Sequence, residues 1–362
     1  MLRLLTKPEL GPRELLQWDQ MEKSGLKSGL EYVAGDLEHK AYDALVVREL
    51  SRNWHDDAKL ISVGEVPLDV HGLGVLFPEM FGDCFEQFEQ DHKLGELTLG
   101  ENKTNAGRKG MLLSEVGEDG SFQLMRCSTN FELPTHNLSA ADRKAMRRVN
   151  EAARRVFGEV PAVNSILAQK YVNTAQLKSR ISSHSDKTKD IAPDSFIAFV
   201  THYDMKTNAP QKGKKKLRRV GYDWLCGETS VLTKLRFRRK QGAPSLEPET
   251  FDVTLYPGSV FMIPLRTNEL YTHETVPSNL PHDWLPTRLG CVMRCSRSRA
   301  VFRDGAAYIV DGEELRPLTK PTPEQLKWLK DMYRRENLTT ERVVYPLVDF
   351  TMNDGDLLAP VR

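Results

Sequence analysis

Beyond Pro161 the apolar residues fall into short blocks separated by turn residues, and each block has the period of a strand. The segment "SFIAFVTHY" is almost continuously apolar, as a strand buried on both faces is. In "VLTKLRFRR", Val231, Thr233, Leu235 and Phe237 share one face while Lys234, Arg236 and Arg238 share the other. "FDVTLYPGSVFMIPL" alternates up to Tyr256, turns at Pro257-Gly258 and resumes as an apolar strand. "ELYTHETV" and "RLGCVMRCSRSRAVF" supply two further strands. Many short strands with turns between them predict a mainly β core, a barrel or a two-sheet jelly roll.

Helical periodicity flanks that core. "SAADRKAMRRVNEAARRVFGEV" predicts a helix with Ser139 as its N-cap. Met146, Val149, Ala153, Val156 and Phe157 lie on its apolar face, and Arg147, Arg148, Arg154 and Arg155 lie largely off it. Upstream, "VPLDVHGLGVLFPEMFGDCFEQFEQD" reads as a strand or turn leading into a helix. "PRELLQWDQMEKSG" and "YDALVVRELSRNW" are helix-like stretches of an N-terminal extension, residues 1–66. The main domain then spans 67–303. A tail, 304–362, closes the chain with a hairpin at Asp311-Gly312 and a helix capped by Thr322 with Pro323 in its first turn.

Composition narrows the picture only slightly. The 362 residues suffice for a large core, and 51 Lys and Arg against 50 Asp and Glu leave a formal charge of +1, so any basic surface is local. The clearest local one is "KTNAPQKGKKKLRRVG", a basic loop between strands containing Lys212, Lys214, Lys215, Lys216, Arg218 and Arg219. Five scattered cysteines without a CxxC pair suggest neither a disulfide framework nor a zinc-thiolate cluster. With no apolar run of spanning length, the expectation is a cytoplasmic or nuclear protein without a membrane partner.

The chemistry turns on "RISSHSDKTKD". Two imidazoles and one carboxylate on one face of a ferrous ion leave its other positions open. On an extended chain His184 and Asp186 point to the same side and supply two of those ligands. His273 in "NELYTHETVP" is the best-placed third, provided its strand lies beside the first. The residues alone leave two readings, a metal site or a polar turn that contains a histidine, and the chain offers a second His-x-Asp at His202–Asp204.

From about residue 68 to 300 the sequence resembles the AlkB-like family of iron(II)- and 2-oxoglutarate-dependent dioxygenases. "HSDKTKDIAPDSFIAFVTHYD" is similar to that family's metal-binding His-x-Asp, polar spacer, proline and buried strand. "LRFRRK", then "LYPGSVFMIPLRTNELYTHETVP", is similar to its basic strand, Gly-Ser turn and distal histidine. "RLGCVMR" is similar to its closing strand. The resemblance implies a double-stranded β-helix core, iron ligands His184, Asp186 and His273, and 2-oxoglutarate and O2 as co-substrates. It also implies that Arg288 and Arg294 hold 2-oxoglutarate and that Tyr171, within "AQKYV", assists. Those arginines share one face, ~20 Å apart at Cα from ~3.3 Å per residue, and long side chains leaning inward bracket a short dicarboxylate. The chain departs from the pattern at Gly290 and Val292, where the family carries Asn and Thr, and at Gln169, where it carries Asn.

The substrate that the resemblance implies is an alkylated, above all N-methylated, nucleic-acid base, taken out of its stack and oxidatively demethylated. Lys214, Lys215, Lys216, Arg218 and Arg219 are the candidate DNA or RNA contacts, with the stripe Lys234, Arg236, Arg238, Arg239 and Lys240 beside them. Two other readings stand alongside: a 2-oxoglutarate-dependent hydroxylase of a protein side chain or small metabolite, and a catalytically silent jelly-roll binding module.

Overall fold

The structure is a computed structural model that describes residues 74–362 apart from 78, 83, 100–103, 207–216, 221 and 244–248. The expected N-terminal helices and the lysines at 212–216 lie outside the described residues. In chain order the strands begin with β1 (Val75–Phe77), β2 (Gly95–Leu99), β3 (Thr104–Ser114), β4 (Ser121–Gln123) and β5 (Thr129–Phe131). Then come β6 (His136–Asn137), β7 (Ser165–Tyr171), β8 (Phe196–Asp204), β9 (Arg218–Val220), β10 (Asp223–Cys226) and β11 (Thr229–Ser230). The core continues with β12 (Lys234–Arg239), β13 (Thr250–Thr254), β14 (Ser259–Pro264), β15 (Tyr271–Val276) and β16 (Thr287–Arg294). β17 (Arg299–Arg303) ends the main domain, and β18 (Ala306–Asp311) and β19 (Glu314–Pro317) follow in the tail. The helices are α1 (Phe85–Asp91), α2 (Ala140–Phe157), α3 (Leu265–Leu270) and α4 (Pro323–Leu338).

The large sheet runs β1-β14-β8-β16-β7-β3-β2-β5, all antiparallel, with β6 added in parallel to β3. A second sheet, β13-β12-β15, faces it. The extended segment Ile181–His184 joins that sheet beside β15. His184 N–H donates to His273 O at 3.0 Å, His273 N–H returns to His184 O at 2.7 Å, and Thr275 N–H donates to Ile181 O at 3.1 Å. The chain thus passes back and forth between the two sheets: β7 in one, 181–184 in the other, β8 back, β12 and β13 across, then β14, β15 and β16 by turns. That path is a double-stranded β-helix, the jelly-roll core expected from the sequence.

Strand alternation divides the large sheet into two buried faces. Leu112, Leu167, Phe199, Phe261 and Ile263 pack inward against Leu235, Phe237, Phe251 and Val253 of the small sheet. Met111, Ile166, Ala198, Val200, Met262 and Met293 point outward and are covered by Phe85 and Phe88 of α1 and Met146, Val149 and Ala153 of α2. α2 begins with a capping box, Ser139 accepting from the N–H of Asp142 while the Asp142 side chain accepts from the N–H of Ser139. Arg147, Arg154 and Arg155 of α2 are exposed, as a charged outer helix face should be.

The tail packs against the core. β19-β18-β17-β4 forms a small sheet, and the apolar side of α4, with Leu329 and Tyr333, joins Tyr345, Val348 and Phe350 in a separate cluster. Buried Arg126 fastens that cluster to the core by donating to Val348 O and Phe350 O, both at 2.8 Å. Among the described residues, no helix is long and apolar enough to cross a membrane.

Candidate metal and co-substrate site

The site forms where Ile181–His184 meets β15. Phe237 of β12 is in register with His273 and packs against its ring with centroids 5.5 Å apart, and Phe199 of β8 meets the same ring at 5.3 Å. His184 lies across the pair from His273, with ring centroids 4.5 Å apart. Two residues on, Asp186 turns to the same side. Its Oδ1 is 3.7 Å from His184 Nε2 and 4.0 Å from His273 Nε2, and one candidate ligand atom from each residue lies within 4.8 Å of the others. Among the described residues this is the one cluster of three such groups.

The protonation states suit a divalent cation. Ser182 O accepts a hydrogen bond from His184 Nδ1 at 2.8 Å, which orients the ring and leaves Nε2 as the nitrogen nearer Asp186. Burial, reinforced by the neighbouring His184, pushes His273 down to about 3, so its ring is neutral. Burial alone would raise the Asp186 carboxyl, but Arg294 together with the two histidines holds it well below the usual carboxylate range. A neutral His273, an ionised Asp186 and the imidazole of His184 make up a two-histidine, one-carboxylate donor set that fits ferrous iron.

The loop after His184 is held from several sides. Asn268 of α3 accepts from Asp186 N–H at 2.8 Å and donates to Asp186 O at 2.9 Å. Asn337 of α4 accepts from Ser185 N–H at 2.9 Å and from Lys187 Nζ at 2.7 Å, and Glu336 Oε1 accepts from Thr188 N–H at 2.8 Å. Ser183 donates to Thr272 Oγ1 and Ser185 to Tyr271 O, so these serines tie the loop to β15. Asn268, Glu336 and Asn337 were not evident from the sequence, because nothing local marks a side chain that pairs with backbone 82 to 152 residues away.

His184, Asp186, His273, Tyr171, Arg288 and Arg294 all line one cavity of about 290 Å³. The two arginines play different parts in it. Arg294 forks onto Asp186, with Nη2 to Oδ1 at 2.7 Å and Nε to Oδ2 at 3.1 Å. Arg288, as deeply buried, faces no carboxylate among the described residues and sits over the Tyr171 ring, its Cζ 3.8 Å from the centroid. Tyr171 Oη donates to Gln169 Oε1 at 2.7 Å. Gly290 now has a physical explanation, since a Cβ there would stand 2.7 Å from Arg288 Nη1, in the space the guanidinium fills. His202 points to the opposite face of β8, towards Phe81 with ring centroids 6.2 Å apart, and burial drives it down to about 4, so it is a neutral core histidine.

The basic stripe is largely neutralised. Arg236 forks onto Asp252 at 2.7 and 2.8 Å, and Arg238 grips Glu274 at 3.2 and 3.0 Å. Lys240 is buried and donates to Asn268 O at 3.1 Å. Arg218 pairs with Glu228 at 3.3 Å and Arg219 with Glu79 at 3.0 Å, while Lys214, Lys215 and Lys216 fall outside the described residues.

No protein-family model matches the chain, and no curated protein matches it either. Among solved structures it is similar to OsALKBH1, at 13% identity and a TM-score of 0.30, over 62% of this chain and 86% of that one. It is also similar to SnoN, a non-haem α-ketoglutarate-dependent epimerase from nogalamycin biosynthesis, at 10% identity and a TM-score of 0.35, over 64% and 81%. Likeness this distant carries no argument, and the functional reading rests on the strand topology and the site.

Proposed function

We propose that this protein is an iron(II)- and 2-oxoglutarate-dependent oxygenase that hydroxylates a C–H bond. One observation carries the reading: the His184–Asp186–His273 cluster opens into the same cavity as Arg288, a buried guanidinium that faces no carboxylate among the described residues. A cation site and an anion site in one chamber fit a metal-chelating acid with a second carboxylate at its far end.

When bound, iron and 2-oxoglutarate supply the activation of O2 that such a hydroxylation needs. The chain's own work is geometric and electrostatic. Arg294 keeps Asp186 ionised and fixes the rotation of its carboxylate. The Ser182 carbonyl orients the ring of His184. Phe199, Leu235, Leu255 and Val292 line the chamber and exclude water from the reacting centre.

The substrate we propose is an N-alkylated nucleic-acid base, following the resemblance of the ordered motifs. The cavity supports it through size. At about 290 Å³ it sits at the small end of ligand pockets, enough for the co-substrate and one inserted group, as when a single base is presented from outside. The test is anaerobic addition of Fe(II) and 2-oxoglutarate to the metal-free protein, followed by formaldehyde release from N-methylated oligonucleotides in air. A visible chelate band in the wild type, absent in His184→Ala, supports the oxygenase, and formaldehyde release supports the base. A band without release from any oligonucleotide transfers the substrate to a protein side chain or metabolite. A wild type that binds neither Fe(II) nor 2-oxoglutarate leaves the silent jelly-roll module.

A further inference from the structure

Arg108 stands outside every motif in the sequence, on β3, yet its side chain enters the co-substrate cavity. Cross-strand register explains how. Arg288 of β16 is paired with Tyr171 of β7, and Tyr171 is paired with Arg108 of β3, so the three lie in one row across the sheet. Side chains in one such row project to the same face. The Tyr171 ring carries Arg288 Cζ at 3.8 Å and Arg108 Cζ at 5.9 Å from its centroid.

The charges in this chamber do not balance. Arg108, Arg180, Lys187, Arg288 and Arg294 line it, and among the described residues Asp186 is its one carboxylate, already gripped by Arg294. Arg108 is 6% exposed and Arg288 5%, and among the described residues neither has an acidic partner. Arg108 Nη1 donates to Gln169 Oε1 at 3.1 Å, while its buried Nε has no hydrogen-bond partner among the described residues. In the next row of the same face, Gly290 pairs with Gln169 and with Thr201, and Thr201 Oγ1 is likewise buried and unpartnered. A glycine floor bordered by two guanidiniums, an amide and an unsatisfied hydroxyl is a built anion site, because buried donors in folded proteins are almost always satisfied.

We infer that Arg108 is a second guanidinium for the far carboxylate of the co-substrate, closing on it from β3 while Arg288 closes from β16, and that this pair restricts the site to dicarboxylic 2-oxo acids. This rests on the oxygenase reading for the identity of the acid, but not for the anion site itself. Two charge-assisted grips on one carboxylate discriminate strongly against a ligand that lacks it, since the ligand then leaves both guanidiniums buried and unpaired.

The experiment compares wild type, Arg108→Gln and Arg108→Lys as full chains, with melting curves to confirm folding. Anaerobic Fe(II) titrations use 2-oxoglutarate and 2-oxobutyrate, which has the same keto-acid end and no second carboxylate. Arg108→Gln is expected to weaken 2-oxoglutarate roughly 10- to 100-fold, to change 2-oxobutyrate less than about twofold, and to be partly rescued by Arg108→Lys. Equal loss for both acids, or unchanged 2-oxoglutarate affinity, overturns the inference and leaves the oxygenase intact. A metal-free arm separates the two claims: glutarate, which cannot chelate, is expected to raise the melting temperature of the wild type but not of Arg108→Gln. If Fe(II) fails to bind while glutarate still discriminates the two proteins, the oxygenase reading falls and the two-arginine site stands. Glutarate that stabilises both proteins alike counts against the site.

Discussion

Replacing Arg126 by Met tests how the tail and the metal-ligand loop are held together. Arg126 is buried and binds Asp190 through Nη2 to Oδ1 at 2.6 Å and Nε to Oδ2 at 3.1 Å, while Nη1 reaches Val348 O and Phe350 O at 2.8 Å each. Methionine keeps the apolar stem and removes the guanidinium. Breaking a buried ion pair from one side costs ~3–5 kcal/mol, and each orphaned carbonyl adds ~1 kcal/mol or more. Lys189 Nζ and Ser298 Oγ still reach Asp190 at 2.7 and 2.8 Å and hold the loss towards the lower end. About 5 kcal/mol is expected, comparable to the roughly 5–15 kcal/mol that stabilises a domain. Urea unfolding followed by fluorescence should show a lower midpoint with an unchanged slope. The acid limb gives a second readout: burial favours the neutral acid, but Arg126 and Lys189 hold the Asp190 carboxyl well below its usual range. A depressed folded value contributes stability that is present above the unfolded value of about 3.9 and lost as pH falls below it, so the wild type should lose more in acid than Arg126→Met. A cost under about 1 kcal/mol, or no coupling in a double-mutant cycle with Asp190→Asn, would falsify this account.

Three further outcomes follow from single contacts. Gly290→Ala places a Cβ 2.7 Å from Arg288 Nη1, the movable end of a side chain. Stability should change by less than about 1 kcal/mol while 2-oxoglutarate affinity drops several-fold, and an unchanged titration counts against Arg288 as the anion anchor. His202 has a folded value of about 4 against about 6.5 unfolded, so the unfolded chain binds more protons between those pH values and stability falls as pH drops through that window. The full effect is roughly 3 kcal/mol, and His202→Leu should flatten a urea-midpoint-against-pH plot between pH 6.5 and 4, whereas an unaltered slope assigns it elsewhere. Asn268→Ala removes both hydrogen bonds to the Asp186 backbone, at an expected ~1–3 kcal/mol and about 10- to 100-fold in metal affinity; calorimetric Mn(II) binding equal to the wild type would show that Asn268 does not orient the ligand.

Elements whose pattern depends on one chain segment were legible in advance. β8 is apolar at nearly every position, β12 alternates at Leu235 and Phe237, and the caps of α2 and α4 stand at Ser139 and Thr322. β3 was not, because Gly107 and Gly110 in "TNAGRKGMLLS" read as turn residues until β2 and β7 pair along both of its edges. Arg108 was hidden with it. The partners of the basic stripe were hidden for a related reason: Asp252 and Glu274 lie on β13 and β15, each looking like an isolated acid until the sheet sets them beside Arg236 and Arg238. Whether a cation is a surface charge, a ligand anchor or half of an ion pair is decided across strands, where periodicity within one strand has nothing to say.

The same reasoning explains why the ligand loop can be polar and still rigid. "HSDKTKD" contains no large apolar residue to anchor it, so order must come from hydrogen bonds. Asn268 pairs with both backbone groups of Asp186, and Asn337 and Glu336 of α4 take the N–H groups of Ser185 and Thr188. Asp190, at the end of the loop, is tied through Arg126 to the carbonyls of Val348 and Phe350. Each of these contacts is buried or partly buried, where a lost partner is expensive, so the loop has one low-energy arrangement. Among the described residues, the exposed lining of the cavity consists of Arg180, Ser182 and Ser183 beside His184, the partly exposed ligand, together with Ser128. On the proposed reading, a substrate group is expected to approach where these exposed residues line the cavity.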